Sequence, residues 1–304
     1  ISQYSEFSLS NKDRQFTSPW KRLTTLSMTY SLLFCIATSI LLTACTSPSL
    51  RFDQVAEAYG FHRAEIPGKG FTHVIFNNDG QQASSTLHVY LGGDGTPWVG
   101  GFLVAQDPTP RNPVGLALMA LDKAPSIYLG RPCYHGQSRQ SPCIPALWTS
   151  ARYSSQVVDS MALALRGVMD DFDYSTLKIF GFSGGGGLAM LLAQRFPETS
   201  TVVSLAGNLD IKAWASYHNY DPLHGSLNPE SMQALPIGIR QYHLAGGKDK
   251  NIPPQIIREA LKNQSNSQFI LLEDFTHACC WEEVWKEVLA CVNADCKWLD
   301  ASQQ

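Results

Sequence analysis

The stretch Gly181-Phe182-Ser183-Gly184-Gly185 determines how the rest of the chain is interpreted. The residues before it, 177–180, are mostly apolar and typical of a strand, and residues 186–196 have helical spacing without a breaker. In a strand–turn–helix with the pattern G-x-S-x-G, the serine occupies a strained turn and its hydroxyl points out of the sheet. The pattern therefore predicts that Ser183 is a nucleophile. A glycine-rich strand-to-helix turn without chemistry is the alternative.

The composition predicts one large domain. The chain has 304 residues, of which 44% are hydrophobic and 16% are charged, so a sizeable core can be buried. The formal net charge of −3 gives no indication of a nucleic-acid partner. We expect residues 61–304 to form this domain, with residues 46–60 as a linker or the start of the mature chain.

Residues 1–45 have the pattern of an export signal. Lys21 and Arg22 precede an apolar run over residues 30–42, which leads into Leu42-Thr43-Ala44-Cys45. A basic region, a short apolar core and small residues at a cleavage site are typical of a secretory signal. The run is too short for an ordinary membrane span, which needs about 20 residues.

The ending Leu-Thr-Ala-Cys resembles the lipobox of bacterial lipoproteins. This resemblance implies that Cys45 is lipidated and becomes the mature N-terminus, so we expect a protein anchored to a membrane of the bacterial cell envelope and facing the periplasm. The alternative is a plain signal peptide cut near Ala44, which leaves a soluble periplasmic protein. If Met28 is the true first residue, the segment loses its basic residues and the interpretation weakens.

Strands alternate with helices through the rest of the chain. The predicted strands are 61–66, 71–76, 87–91, 126–129, 177–180, 201–205, 241–245 and 268–272. The predicted helices are 113–122, 154–171, 186–196, 254–263 and 280–292. This alternation is typical of the α/β class, with a mostly parallel sheet covered by helices on both faces.

Residues 208–234 interrupt this alternation as an irregular insert that is short for a lid. The insert carries five large apolar side chains, Trp214, Tyr217, Tyr220, Leu223 and Leu227. They either line an acyl or aryl pocket or belong to a packed surface excursion.

A nucleophilic serine requires a base. In α/β folds that carry the serine in a turn of this kind, the serine, the acid and the histidine follow in that order along the chain. His277 lies just past the last predicted strand, where it can reach the serine from the carboxyl edge of the sheet. We therefore predict that His277 is the base. His243 lies inside a strand pattern, which indicates a structural role, while His218 and His224 lie in the insert.

The acid should end the strand before this histidine. Leu244-Ala245-Gly246-Gly247-Lys248-Asp249 ends such a strand, and Ile252-Pro253 follows. We predict that Asp249 orients His277 and stabilises its imidazolium form. Aspartate is also common in turns without any catalytic role. Asp210, after the strand that follows the serine, is the alternative acid.

Two backbone amides should stabilise the negative charge that develops on a substrate oxygen. One is predicted to be the amide of Gly184, directly after the nucleophile. The other should come from the loop Gly92-Gly93-Asp94-Gly95, and the sequence does not choose between Gly93 and Asp94. Because a carboxylate near this charge is unfavourable, we expect the Asp94 side chain to turn away and fix the loop.

These motifs together resemble an α/β-hydrolase, over the chain from about Phe71 to the C-terminus. The loop at 92–95 takes the place of the HGGG loop of lipases and esterases. More narrowly, residues 90–98, 131–133 and 148–152 are similar to a group of bacterial hydrolase-fold proteins of poorly defined activity.

The resemblance implies a serine hydrolase that acts on carboxylic ester or thioester bonds of a small acyl substrate, without a cofactor. Two alternatives remain open. One is an acyltransferase that uses the same triad, and the other is a hydrolase-fold lipoprotein that binds ligands without turnover.

Eight cysteines are present, of which Cys35 lies in the signal and Cys45 at its end. An even number of the remaining cysteines in an exported chain indicates disulfides. We predict Cys133–Cys143 and Cys291–Cys296, while the adjacent Cys279 and Cys280 bond each other or pair elsewhere. No spacing of histidines and cysteines matches a zinc site, so no metal is expected. We also predict that loop 131–150 borders the substrate pocket.

Overall fold

The computed structural model of the protein describes residues 47–78 and 84–294. The predicted signal segment with Cys45, and the predicted disulfide partner Cys296, lie outside the described residues. The helices are α1 Pro48–Ala58, α2 Val114–Met119, α3 Ser155–Asp171, α4 Gly184–Ala193, α5 Ile211–Tyr217, α6 Pro254–Ala260 and α7 Trp281–Ala294. Short 3₁₀ helices span Pro145–Trp148 and Pro229–Ser231.

Ten strands occur within the described residues. They are β1 His62–Pro67, β2 Thr72–Asn77, β3 Thr86–Leu91, β4 Trp98–Val99, β5 Leu103–Val104, β6 Ser126–Leu129, β7 Thr176–Phe182, β8 Thr199–Leu205, β9 Arg240–Gly246 and β10 Ser267–Leu272. Eight of them form one sheet in the order β1-β2-β6-β3-β7-β8-β9-β10. Strand β2 is antiparallel to β1 and β6, and the other pairs are parallel.

The sheet separates two apolar cores, because successive side chains of a strand point to opposite faces. In β7, Ile179 belongs to the core that also holds the buried face of α3, whereas Phe180 belongs to the core of α7. Both residues are fully buried. The predicted mostly parallel sheet with helices on both faces is confirmed, and the carboxyl ends of β3, β7, β9 and β10 meet at one edge.

The segment 46–60, expected to be a linker or the start of the mature chain, is mostly helical. Residues 48–58 form α1, which begins with Ser47 as N-cap and Pro48 in the first turn. Ser47 accepts a hydrogen bond from the amide of Leu50. Phe52 is buried, with its ring centroid 5.3 Å from that of Phe76 and 5.1 Å from that of Tyr128. Helix α1 is therefore part of the packed domain.

The predicted irregular insert contains regular structure. Helix α5 lies within it, and Asp210 caps that helix. The small hairpin of β4 and β5, which pair with each other outside the large sheet, was not predicted either. Among the helices of residues 47–78 and 84–294, none is long and apolar enough to cross a membrane.

Candidate active site

Ser183 occupies the sharp turn between β7 and α4. Its backbone has φ 55° and ψ −122°, a strained conformation for a residue with a side chain. The amide of Ser183 donates to the carbonyl of Leu205 at 2.9 Å, and its carbonyl accepts from the amide of Asn208 at 2.9 Å. A Cβ at Gly181 or Gly185 would collide with neighbouring backbone, so both positions require glycine. The surrounding backbone thus holds the serine in its strained conformation.

His277 lies between Ser183 and Asp249. Its Nε2 is 3.0 Å from Oγ of Ser183, and its Nδ1 is 2.8 Å from Oδ2 of Asp249. The histidine follows β10, and its carbonyl accepts a hydrogen bond from Nε1 of Trp281 at 3.0 Å, at the start of α7. The three residues that the sequence singled out as a triad are thus brought together at the carboxyl edge of the sheet.

The carboxylate of Asp249 is fixed by its own turn. Its side chain is fully buried, and Oδ1 accepts hydrogen bonds from the amides of Asn251 and Ile252 at 2.8 and 2.9 Å. The glycine-rich end of β9 has a packing reason. A Cβ at Gly246 would press on the carbonyl of Phe275 in the loop that carries His277. Glycine therefore lets the acid and the base approach each other.

Asp210 is not placed as the acid. Its Oδ1 accepts hydrogen bonds from the amides of Lys212 and Ala213, each at 3.1 Å, and from Nδ2 of Asn228 at 2.9 Å. This carboxylate is an N-cap of α5. The alternative assignment therefore has no support from the structure.

The other candidate histidines have different surroundings. His243 is buried and its Nδ1 lies 2.8 Å from Oγ of Ser204, while burial lowers the pKa of His243 to about 3. This agrees with a structural role. Nε2 of His218 lies 2.7 Å from the carbonyl oxygen of Asn251, and His224 is exposed in the insert.

Two of the residues predicted to supply oxyanion amides, Gly93 and Gly184, lie next to the serine. A Cβ at Gly93 would lie 3.2 Å from Cβ of Ser183, so this loop passes directly beside the nucleophile. Gly184 begins α4, whose N-terminus favours negative charge. Within the described residues, none of the hydrogen bonds is donated by the amides of Gly93, Asp94 or Gly184.

The carboxylate of Asp94 is held by three side chains of distant parts of the chain. Arg131 lies 2.9 Å from its Oδ1, Arg152 lies 2.8 Å from its Oδ2, and the hydroxyl of Tyr153 donates to it at 2.5 and 2.7 Å. The hydroxyl of Tyr134 donates to the carbonyl of Asp94 at 2.9 Å. The side chain fixes the loop, as expected.

The Asp94 carboxylate does not, however, lie far from the predicted oxyanion position. A Cβ at Gly184 would collide with Oδ1 of Asp94. Burial raises the pKa of Asp94, but the positive charges of Arg152 and Arg131 and the hydroxyl of Tyr153 outweigh it, so this pKa lies below its usual value. The two guanidinium groups offset the negative charge of Asp94, so this carboxylate can lie near the predicted oxyanion position without strong repulsion.

A cavity of about 950 Å³ opens at Ser183 and His277. Three of the large apolar side chains of the insert line it, Trp214, Tyr220 and Leu223. Leu227 packs against the core and Tyr217 is exposed. The insert therefore serves partly as pocket wall and partly as packed surface.

Loop 131–150 borders the cavity only at its end, through Thr149 and Ser150. The predicted disulfide Cys133–Cys143 is present, with the two Cα atoms 5.6 Å apart. Cys143 lines a separate small cleft with Phe71 and Thr72, so the prediction that loop 131–150 borders the pocket holds for the end of the loop and not for its disulfide. Through Arg131 and Tyr134 the loop instead supports Asp94.

Cys279 and Cys280 are bonded to each other. The predicted bond Cys291–Cys296 involves Cys296, outside the described residues. No group of three or more histidine, cysteine or acidic side chains that could hold a metal ion occurs in the described part of the chain.

Sequence reasoning missed two features of the site. Nδ2 of Asn251 lies 3.0 Å from Nε2 of His277, the ring nitrogen that faces the serine, and Asn251 also lines the cavity. An asparagine in a turn carries no signal of such a contact. Arg131 and Arg152 stood in the stretches that carry the family resemblance, but their common contact with Asp94 could not be predicted.

Comparison with known proteins supports the fold through structure alone. No protein-family model matches the sequence, and no curated protein matches it. A putative lipase from Acinetobacter baumannii is similar with a TM-score of 0.56 and 16% identity, covering 83% of this chain and 98% of that one. A carboxylesterase from Bacillus subtilis has a TM-score of 0.53 and 12% identity, covering 83% and 100%.

A serine hydrolase without a lid from Xanthomonas campestris has a TM-score of 0.51 and 11% identity, covering 77% of this chain and 92% of that one. These proteins share the architecture, and the identities are too low to transfer an activity. The chain has the α/β-hydrolase fold, with a short insert in place of a large lid.

Proposed function

We propose that the protein is a serine hydrolase that cleaves carboxylic ester or thioester bonds. The observation that carries the proposal is the position of His277, with Nε2 3.0 Å from the Ser183 hydroxyl and Nδ1 2.8 Å from Asp249. This is the arrangement in which a histidine activates a serine. Among proteins of this fold, the lipase and the carboxylesterase named above make ester cleavage the first activity to test, although a fold by itself does not define a function.

In the acylation step, Oγ of Ser183 attacks the substrate carbonyl while its proton passes to Nε2 of His277. The Asp249 carboxylate holds the proton on Nδ1 and stabilises the imidazolium. The negative charge on the carbonyl oxygen is stabilised by the amide of Gly184 and by that of Gly93 or Asp94. The bond to the leaving alcohol or thiol then breaks, and Nε2 returns the proton to the leaving group.

In the deacylation step, water gives a proton to Nε2 and attacks the acyl-serine. The ester to Oγ breaks, the acid is released and the serine regains its proton from His277. If an alcohol or amine takes the place of water, the same site transfers the acyl group. Analysis of the products, free acid or new ester or amide, separates these reactions.

The test is a panel of acyl esters and thioesters of increasing chain length, assayed with wild type and Ser183→Ala. Removal of the nucleophile should lower the rate by about a millionfold while the fold is kept. A fluorophosphonate probe should label the wild type and leave Ser183→Ala unlabelled. Activity of the variant within roughly tenfold of wild type would assign the reaction to another residue. Absence of both labelling and turnover in the wild type would support a binding protein.

We further propose that a lipid on Cys45 anchors the protein to a membrane of the bacterial cell envelope, on the periplasmic side. The support is the sequence Leu42-Thr43-Ala44-Cys45 after a short apolar run. Metabolic labelling with a fatty acid is the direct assay, and Cys45→Ser should abolish the label. A mature protein that begins at another residue and carries no lipid would contradict the anchor and support a soluble periplasmic protein.

A further inference from the structure

One short segment carries a concentration of exposed apolar side chains. Thirteen large hydrophobic side chains are exposed within the described residues, and five of them lie in the seven residues 98–104. They are Trp98, Val99, Phe102, Leu103 and Val104. Phe102 is 74% exposed and Leu103 is 57% exposed. Contiguous exposed apolar patches of this kind mark interaction surfaces.

These residues form the hairpin of β4 and β5, which we call the apolar hairpin. Its turn contains Gly100 and Gly101, both with positive φ, a conformation suited to tight hairpin turns. Its base is fixed, because the amide of Ala105 donates to the carbonyl of Pro97 at 2.9 Å and Nε1 of Trp148 donates to the carbonyl of Ala105 at 3.1 Å. A fixed base with an exposed apolar tip is suited to contact with an external surface.

The apolar hairpin borders the cavity that contains Ser183 and His277. Pro97, Trp98 and Gly101 line the same cavity as Ser183 and His277. Phe102 and Leu103 are not among its lining residues. A surface that covers the tip would therefore lie next to the cavity, and a molecule leaving that surface would have a short path to the serine.

The described chain begins near the same segment. The amide of Ser49 donates to Oδ2 of Asp107 at 2.9 Å, and Asp107 lies three residues after the end of the hairpin. Cys45 precedes Ser49 by four residues, so its Cα can be at most about 14 Å from that of Ser49. A lipid on Cys45 would therefore be attached no farther than about 14 Å from Ser49, which is hydrogen-bonded to the segment that follows the hairpin.

We propose that the apolar hairpin inserts into the surface of a lipid bilayer and presents the cavity to acyl chains of the membrane. Aromatic and aliphatic side chains at a headgroup boundary bind by burial of apolar area. The exposed cation Arg111, which also lines the cavity, favours an anionic headgroup. The orientation rests on the proposed anchor at Cys45, and delivery of substrate rests on the proposed hydrolysis. A second copy of the chain is the competing occupant.

The test uses the full chain with vesicles of phosphatidylcholine and phosphatidylglycerol whose acyl chains carry bromine. Bromine quenches tryptophan only at contact depth, so quenching of Trp98 reports insertion of the hairpin wherever the N-terminus is attached. We expect quenching in the wild type and loss of most of it in Trp98→Phe. Quenching that is absent, or unchanged by Trp98→Phe, would overturn the proposal.

A second variant avoids changes in the cavity lining. Phe102→Ser with Leu103→Ser should weaken vesicle binding at least about tenfold, because two large apolar side chains are then no longer transferred from water into the bilayer on binding. The matched controls are Phe172→Ser and Ile237→Ser, whose side chains are 65% and 78% exposed elsewhere. Equal loss in the controls, or a wild-type dimer that dissociates in the double variant without any bromine quenching, would overturn membrane docking.

Activity separates this proposal from the proposed function. The double variant should hydrolyse a water-soluble short-chain ester at the wild-type rate and a vesicle-borne ester at least about tenfold more slowly. Quenching of Trp98 in a protein that hydrolyses neither ester would contradict the proposed function and leave docking in place. Hydrolysis of both esters at unchanged rates in the double variant would contradict docking and leave the proposed function in place.

Discussion

Asp249 is held rigidly in line with His277. One carboxylate oxygen lies 2.8 Å from Nδ1 of the imidazole, and the other accepts two backbone amides of its own turn. Because the turn fixes the carboxylate, the tautomer with a proton on Nδ1 is favoured before any substrate binds. The opposite ring nitrogen then lacks a proton and can accept one from Ser183.

This geometry predicts that Asp249→Asn lowers kcat by about 10⁴, since an amide in that position stabilises the wrong tautomer of His277. The matched control is Asp210→Asn, which removes the charge of the N-cap of α5 and should leave kcat within a few fold. Both rates are measured on a soluble ester at neutral pH. A larger loss in Asp210→Asn than in Asp249→Asn would assign the acid to Asp210.

The sequence was sufficient for the parts of the site that depend on local pattern and chain order. The glycines around Ser183, the glycine-rich exit before Asp249 and the position of His277 after the last strand each follow from short stretches. The environment of Asp94 could not be derived in this way. Its partners Arg131 and Arg152 come from other loops, 37 and 58 residues away along the chain, and only the folded sheet brings them together.

The N-terminal helix α1 was missed for a different reason. Only Phe52 and Ala56 are buried on it, which is too narrow an apolar face to give a clear helical period. A local signal was nevertheless present. Ser47 followed by Pro48 is the combination of N-cap and first-turn residue that often begins a helix.

The ion cluster at Asp94 predicts a coupled loss of stability and turnover. Asp94→Asn keeps the shape but leaves two buried guanidinium groups without their carboxylate, which should lower the free energy of unfolding by about 3 kcal/mol. The loop 92–95, proposed to supply an oxyanion amide, also loses its fixation, so kcat should fall more than KM rises. Asp221→Asn is the control, because Asp221 is exposed and lines the same cavity. Equal stability and kcat in Asp94→Asn and wild type would show that the cluster is dispensable.

The disulfide Cys133–Cys143 should affect activity through the loop 92–95 more than through the lining of the cavity. Its removal by Cys133→Ser with Cys143→Ser should lower the free energy of unfolding by about 3 kcal/mol, the value expected for a short closed loop. Since Arg131 and Tyr134 flank Cys133 and hold Asp94, kcat should also fall. Peptide mapping without reduction tests the bond first. Free thiols at both positions in protein purified without reductant would remove the basis of this prediction.

Three histidines outside the active site are buried in a neutral form. Burial lowers the pKa of His135 and His243 to about 3. Burial also lowers the pKa of His73 to about 4, against the opposing effect of the carbonyl of Gly130. His73 and His243 have hydroxyl partners, Ser160 and Ser204. In the unfolded chain each histidine would titrate near 6.5.

These histidines predict that stability falls as the pH is lowered. Well above pH 6.5 neither the folded nor the unfolded chain binds these protons, so these histidines do not lower the free energy of unfolding. Below pH 6.5 the unfolded chain takes up protons that the folded chain does not bind. Each histidine therefore lowers the free energy of unfolding by up to about 1.4 kcal/mol per pH unit, until the pH nears the pKa of that histidine in the folded protein. Urea unfolding at pH 7, 6 and 5, where carboxylates stay largely ionised, measures the slope. His243→Gln should reduce the pH dependence of the free energy of unfolding by about the contribution of one histidine. His224→Gln, at an exposed position, should leave this pH dependence unchanged. An unfolding midpoint that is independent of pH over this range would mean that these histidines are accessible to protons in the folded protein.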